Sequence, residues 1–265
     1  MSEEKTLILI PTNHDKIYCL GKFIKNLKSI DLTNTDILFS DDTFNSDEYK
    51  KEIESLGFEV IKVTKTIDAL NRGEKLNIVR CLANARETLR QEFIKRKQYT
   101  KCVWFDSDII MPHDVIKQLT SHELDLVSGI YWQKKIRSIG KERQQELVPV
   151  VYKYLENECY DLNCHKYGSE MTVQELFPNR LIGGPNDDLK IIAIGTGCFM
   201  ASRKLMEDER WNFRFNPDKP DTTEDMWFCL DLRSLGYEIY LDSRVCCRHW
   251  MRPWINKIKT SDNQK

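Results

Sequence analysis

The stretch KCVWFDSDIIMPHDV, residues 101–115, runs three apolar residues, Val103, Trp104 and Phe105, into two carboxylates, Asp106 and Asp108, with only Ser107 between them. At an extended strand end, residues i and i+2 point the same way, so both carboxylates can face one ion. Like charges this close repel unless something cationic lies between them. Hard oxygen ligands suit Mg2+ or Mn2+ better than Zn2+, and magnesium keeps positions open for substrate phosphates. The pair therefore predicts a divalent metal that holds a phosphorylated ligand. Taken alone, it also fits two solvated acids at a strand end.

Other chemistry-bearing residues close their own apolar runs. TLILIPT (6–12) leads into Thr12 and Asn13, and TDILFSDD (35–42) ends on Asp41 and Asp42. TTED places Glu224 and Asp225 at a helix start, and RVCCRHW (244–250) carries His249. Each has a plain structural use as well. Thr12 and Asn13 can turn the chain after Pro11, and Asp41 and Asp42 can serve a turn or a cap. Glu224 and Asp225 suit a helix N-terminus, where the dipole favours an acid.

These residues need a scaffold that brings strand ends together. The runs at 6–12, 35–42, 58–63 and 101–106 read as buried strands. Amphipathic segments separate them, the clearest at 74–95, where Leu76, Val79, Leu82, Leu89 and Phe93 recur near a helical period. Strand–helix alternation with hydrophobic strands indicates a parallel sheet covered on both faces. Ligands of such sheets sit beyond the carboxyl ends of the strands, so the residues after 11, 40 and 105 should converge on one crevice. In the second half, 124–132 and 147–155 read as strands, joined by an exposed charged loop, QKKIRSIGKERQQE (133–146). A polar region (156–188) follows, with a turn at GGPNDD (183–188). The segment 223–242 reads as a helix that breaks at Gly236 into a strand. No repeat or flexible linker interrupts the chain, which reads as one domain over 1–265.

Composition narrows the function. Forty Lys and Arg against 41 Asp and Glu give a net charge of −1, so no global field draws nucleic acid or an anionic membrane. Nine cysteines, an odd number, include the adjacent Cys246 and Cys247, which reads as reduced thiols in a cytoplasmic compartment. Cys246, Cys247 and His249, or Cys159, Cys164 and His165, lack the paired C-x-x-C spacing of a strong zinc motif. The apolar run Leu7–Ile10 is too short for a signal peptide or a membrane span, which leaves only peripheral membrane contact.

The ordered set D-x-D, GTGCFMASRKLME (195–207), EDMWFCLDLRSLGYEIYLD (224–242) and RVCCRHW resembles the GT-A glycosyltransferases, especially the large inverting family 2. The resemblance covers residues 6–250 and implies an α/β, Rossmann-like, mostly parallel sheet flanked by helices, with a smaller second sheet on the acceptor side. It implies transfer of a sugar from a UDP- or GDP-sugar to a glycan, lipid-linked or protein acceptor, with Mn2+ or Mg2+ on the diphosphate. About 1–112 would be the nucleotide half, about 113–250 the acceptor and catalytic half, and 251–265 a basic tail.

Carried over residue by residue, the resemblance makes Asp106 and Asp108 the metal pair, Asp106 also reaching the ribose, with His249 completing the metal site. Ser107, Thr12 and Asn13 would lie against the nucleotide. Asp41 would meet the base, with Asp42 as its substitute, and Arg72 and Arg80 would lie beside the nucleotide. Asp225 would be the base that takes the acceptor proton in an inverting transfer, and Glu224 would orient the acceptor. In the tail RHWMRPWINKIK, Arg248, Arg252 or Lys257 would neutralise the leaving group, and Trp250 or Trp254 would cover the donor. A basic end or a peripheral membrane contact is the other reading of that tail.

Two rival activities fit less well. A haloacid-dehalogenase-like phosphohydrolase has Thr or Val where Ile110 stands, and its motif ends the first strand rather than the fourth. A nucleotidyltransferase should carry a glycine-rich loop after strand one, and IPTNHDK has no glycine. A non-catalytic binding protein on the same fold would be expected to have lost acids that are all present here.

Overall fold

Strand β1 (Thr6–Thr12) is buried along its whole length, as a strand can be only when both faces of its sheet are covered. The computed structural model describes residues 4–44, 46–64, 75–139, 142–153, 169–176, 180–183, 187–219 and 222–250. After β1 come a 3-10 turn at His14–Lys16, α1 (Ile17–Leu27), β2 (Thr35–Asp41), α2 (Glu48–Ser55), β3 (Glu59–Lys62), α3 (Lys75–Lys95) and β4 (Lys101–Phe105). The four strands run parallel in the order β3-β2-β1-β4. Register sets Thr12 opposite Asp41 and Asp41 opposite Lys62, so these carboxyl ends share one edge. Successive β1 side chains alternate between faces. Leu7 and Leu9 join the cluster of Leu89 and Phe93 from α3, while Ile8 and Ile10 join that of Phe23 and Leu27 from α1.

The second half holds β5 (Ile109–Ile110), α4 (Val115–Thr120), β6 (Leu126–Ile139), β7 (Glu142–Pro149), β8 (Val151–Lys153), β9 (Ser169–Glu170), α5 (Val173–Leu176) and β10 (Leu181–Gly183). It continues through β11 (Ile191–Ile194), β12 (Cys198–Ser202), α6 (Arg203–Glu207), α7 (Glu224–Ser234) and β13 (Tyr240–His249). The main sheet has the order β10-β13-β6-β12-β4-β1-β2-β3, with β5 on β13 and β7 on β6, and β11-β8-β9 form a second, smaller sheet. Strand β12 runs against both β4 and β6, whereas β13 and β6 are parallel. Aromatic packing anchors α7 below β4 and β12: Trp104 stacks on Phe199 at 5.6 Å, and Phe228 meets Phe199 at 5.4 Å and Phe213 at 5.0 Å. No helix among the described residues is long and apolar enough to cross a membrane.

Two expectations change. The charged stretch 133–146 is no loop: β6 and β7 form a hairpin that pairs from Trp132↔Pro149 to Ile139↔Glu142. Its backbone ladder joins two strands whose sequence lacks the apolar–polar alternation by which a strand is usually recognised. The expected strand 147–155 is split, since β7 ends at Pro149 and β8 turns into the small sheet. By contrast, the break at Gly236 stands. Gly236 takes φ 86, its N–H donates to Arg233 O and that of Tyr237 to Leu232 O, both at 3.0 Å. This paired closure satisfies the last helical carbonyls, and the left-handed position favours glycine. Of the polar region, 156–168, 177–179 and the turn residues 184–186 lie outside the described residues.

Candidate functional site

A cavity of about 460 Å3 opens at the carboxyl ends of β1, β2 and β4, with Thr12, Asn13, Lys16, Tyr18, Asp42, Asp106, Ser107, Asp108 and His249 on its wall. Thr12 ends β1, and its hydroxyl donates to Ser107 Oγ at 2.9 Å and lies 3.1 Å from the Tyr49 hydroxyl. That ties the ends of β1 and β4 to α2. Asn13 accepts from the Asp15 N–H at 2.9 Å, the turn-forming role, and so starts the 3-10 turn that ends at Lys16.

Both carboxylates of the D-x-D have cationic partners within the protein. Asp106 Oδ1 accepts from Arg86 Nη2 at 2.6 Å, and its N–H donates to Gly197 O at 2.9 Å. Asp108 Oδ2 receives the Lys16 ammonium and stands 3.4 Å from His249 Nε2. The repulsion that the sequence assigned to a divalent ion is thus relieved by two side chains. Burial alone would raise Asp108, but the hydrogen bond from His249 and the charge of Lys16 outweigh it and hold the carboxyl down at about 2. For Lys16, burial works downwards, yet Asp108 keeps the ammonium above the usual lysine range.

The donor types fit a divalent ion. Asp108 Oδ2 and His249 Nε2, 3.4 Å apart, are near the ~3 Å that separates neighbouring ligands of an octahedral ion with bonds of ~2.1 Å. Their present geometry is that of ion pairs, however: among the described residues no three His, Cys, Asp or Glu side chains converge as a metal cluster. His249 Nδ1 is buried with no hydrogen-bond partner among them, and its ring rests against Tyr131 at 5.7 Å.

Arg86 joins this cavity to the helix that carries the E-D pair. It is fully buried on α3, donates from Nη1 to Thr196 O at 3.1 Å, and places Nε 3.6 Å from Glu224 Oε1. Asp106 and Glu224 therefore share one guanidinium. Asp225 accepts from the Thr223 hydroxyl and, at 2.8 Å, from the Met226 N–H, so Oδ1 already caps α7. Burial raises both carboxyls, Glu224 to about 8.

That proton on Glu224 has a testable sign. Between its ordinary 4.5 and about 8, the folded protein holds a proton that the unfolded chain has released. Stability is then fully present below the lower value and falls as pH rises, by up to ~1.4 kcal/mol per pH unit. Urea unfolding at several pH values should show the fall, and Glu224→Gln should reduce its slope. An unchanged slope in the variant would assign the proton elsewhere.

Backbone without side chains lets these groups approach. A Cβ at Gly195 would lie 2.0 Å from the Tyr131 hydroxyl, and one at Gly197 would lie 2.8 Å from the Tyr131 ring and 3.0 Å from Asp106 Oδ2. The GTG motif thus seats Tyr131 and Asp106 side by side.

The remaining predicted residues divide. Asp41, the expected contact to the base, is fully buried and turned into the protein: Lys62 Nζ reaches its Oδ2 at 2.7 Å and the Thr43 N–H its Oδ1 at 2.8 Å. Asp42, not Asp41, is the acid on the cavity wall. Arg80 lies over Phe215 at 5.5 Å, and α3 lines the cavity with Ile78, Cys81, Leu82 and Ala85. Arg248 and Trp250 line a neighbouring cavity of about 410 Å3 that shares His249 with the first. Trp250 has Lys22 Nζ 3.5 Å above its ring, and its carbonyl accepts from the Tyr18 hydroxyl at 3.1 Å. Arg72, Arg252, Trp254 and Lys257 lie outside the described residues.

Sequence reading missed Lys16, Tyr18, Arg86 and Tyr131. Arg86 had a signal: it falls seven residues after Val79 and seven before Phe93, on the apolar stripe of its helix. An arginine in that stripe must be paired.

No family model and no curated protein matches the sequence. Solved structures do. GalNAc-T7, in a crystal structure with UDP, GalNAc and Mn2+, is similar over 93% of this chain and 44% of that one, at 8% identity and a TM-score of 0.52. S. aureus TarS is similar over 92% of this chain and 60% of that one, at 13% identity and a TM-score of 0.55. The chain thus spans about half the length of these two structures. Together with the sheet order, these likenesses establish that the chain has a GT-A-like, mixed α/β fold.

Proposed function

We propose that the protein is a glycosyltransferase that moves a sugar from a nucleoside-diphosphate sugar to an acceptor hydroxyl. One observation carries this reading: the D-x-D, Lys16 and His249 face one cavity at the strand ends, and Arg86 links the same Asp106 to the E-D pair of α7. The UDP and Mn2+ in the GalNAc-T7 structure support a nucleotide and a divalent ion as ligands of this fold. About 1–112 would bind the nucleotide and 113–250 the acceptor, a glycan, lipid-linked or protein hydroxyl.

Asp106, Asp108 and His249 would hold Mn2+ or Mg2+, which when bound stabilises charge on the departing nucleoside diphosphate. Thr12 fixes Ser107, so the D-x-D is presented from a rigid strand end. Asp225 takes the acceptor proton as that oxygen attacks the anomeric carbon from the face opposite the leaving group, which inverts the centre. Its raised pKa brings the carboxylate nearer the basicity that such a step needs. Glu224, held by Arg86, orients the acceptor side.

Incubation with a panel of UDP- and GDP-sugars and Mn2+ tests the reading. A transferase slowly releases nucleoside diphosphate, with faster release once the acceptor is supplied. Release of inorganic phosphate instead would identify a phosphohydrolase, and release of nothing across the panel a binding protein.

A further inference from the structure

Arg86 and Lys16 neutralise the two D-x-D acids in different ways. Arg86 is buried and bound on several sides. Lys16 sits at the end of a single 3-10 turn, with its side chain 34% exposed against 6% for Asp108, and it lies on the cavity wall. Its ammonium and His249 Nε2 address the same oxygen, Asp108 Oδ2. A divalent ion held by Asp108 and His249 would therefore share that oxygen with an ammonium. Cations that close repel strongly in a partly buried site.

We propose that Lys16 is a tethered cation that competes with the divalent ion for Asp108, and that it lets a nucleoside diphosphate bind without added metal. An ammonium is a mobile point charge well suited to phosphate, and this one already faces the cavity. The second half of the proposal rests on the glycosyltransferase reading; the first half does not.

The test uses the full chain. Free Mn2+ is titrated by electron paramagnetic resonance without nucleotide, in wild type, Lys16→Met and Lys16→Arg. Lys16→Met is expected to bind Mn2+ about tenfold more tightly than wild type, given the repulsion removed, and Lys16→Arg to bind it as wild type does. Calorimetry with UDP and GDP in EDTA should show binding to wild type, weakened about tenfold or more in Lys16→Met, as loss of a charge-assisted phosphate contact implies, and recovered with Mn2+. If Lys16→Met does not fold, Lys16→Gln, which keeps a donor for Asp108, replaces it.

Equal Mn2+ affinity in wild type and a folded neutral variant, Lys16→Met or Lys16→Gln, would overturn the competition. UDP or GDP binding to wild type only when Mn2+ is present would overturn the metal-free role. If Lys16→Met tightens Mn2+ but neither nucleotide binds any variant with or without metal, the competition stands and the nucleotide reading falls.

Discussion

Arg86→Met is expected to destabilise the protein by about 3–5 kcal/mol, the cost of breaking a buried ion pair by removing one partner. The guanidinium is fully buried and serves Asp106, Glu224 and the Thr196 carbonyl. Methionine fills most of its volume, so the loss is electrostatic rather than a cavity. Two features place the result toward the lower figure. Glu224 is pushed up to about 8, so near neutral pH it can remain protonated and tolerate the loss. Asp106 is 25% exposed and regains some water. Urea unfolding near neutral pH measures the change, and a second substitution, Glu224→Gln, should alter it little. A loss below ~1 kcal/mol, the range of exposed pairs, would mean that Arg86 is not what holds Asp106 in place.

Asp225→Asn is expected to slow sugar transfer by ~10²–10⁴-fold, the range of general-base assistance, with nucleotide affinity unchanged. Asparagine isolates the proposed role. Its Oδ1 can still accept from the Thr223 hydroxyl and the Met226 N–H, as Asp225 Oδ1 does, so the cap of α7 survives while the basic oxygen is lost. Steady-state transfer with the donor identified by the panel, beside calorimetric nucleotide binding, separates the outcomes. Near-normal turnover would remove Asp225 as the base, and weakened nucleotide binding would make it a binding residue instead.

The parallel half of the fold was legible because its signals are local. Each run at 6–12, 35–42, 58–63 and 101–106 is apolar enough to declare a buried strand, and the structure places strands there with ends differing by at most one residue. The convergence of Thr12, Asp42 and Asp106 on one cavity followed from the rule about strand ends. What escaped depends on partners distant in sequence. Asp41 and Asp42 are indistinguishable in the chain, and only the register that sets Lys62 opposite Asp41 turns one inward. Lys16 looks like any exposed lysine until the turn at 14–16 sets it beside Asp108. The hairpin at 133–149 hid because its long charged residues satisfy no alternation rule.

Strand β13 carries a consequence for the order in which the molecule is assembled. It sets His249 opposite Ile109, directly after the D-x-D, and lies between β6 and β10. Closing so long a loop adds little to the free-energy cost, since that cost grows only with the logarithm of length, but non-local pairings of this kind are slow to form. The parallel strands within residues 6–105 need nothing from beyond themselves to pair with one another. On a ribosome, then, the crevice between those strands is spelled out long before the imidazole that faces it, and its wall is complete only when one of the late strands slots into the sheet.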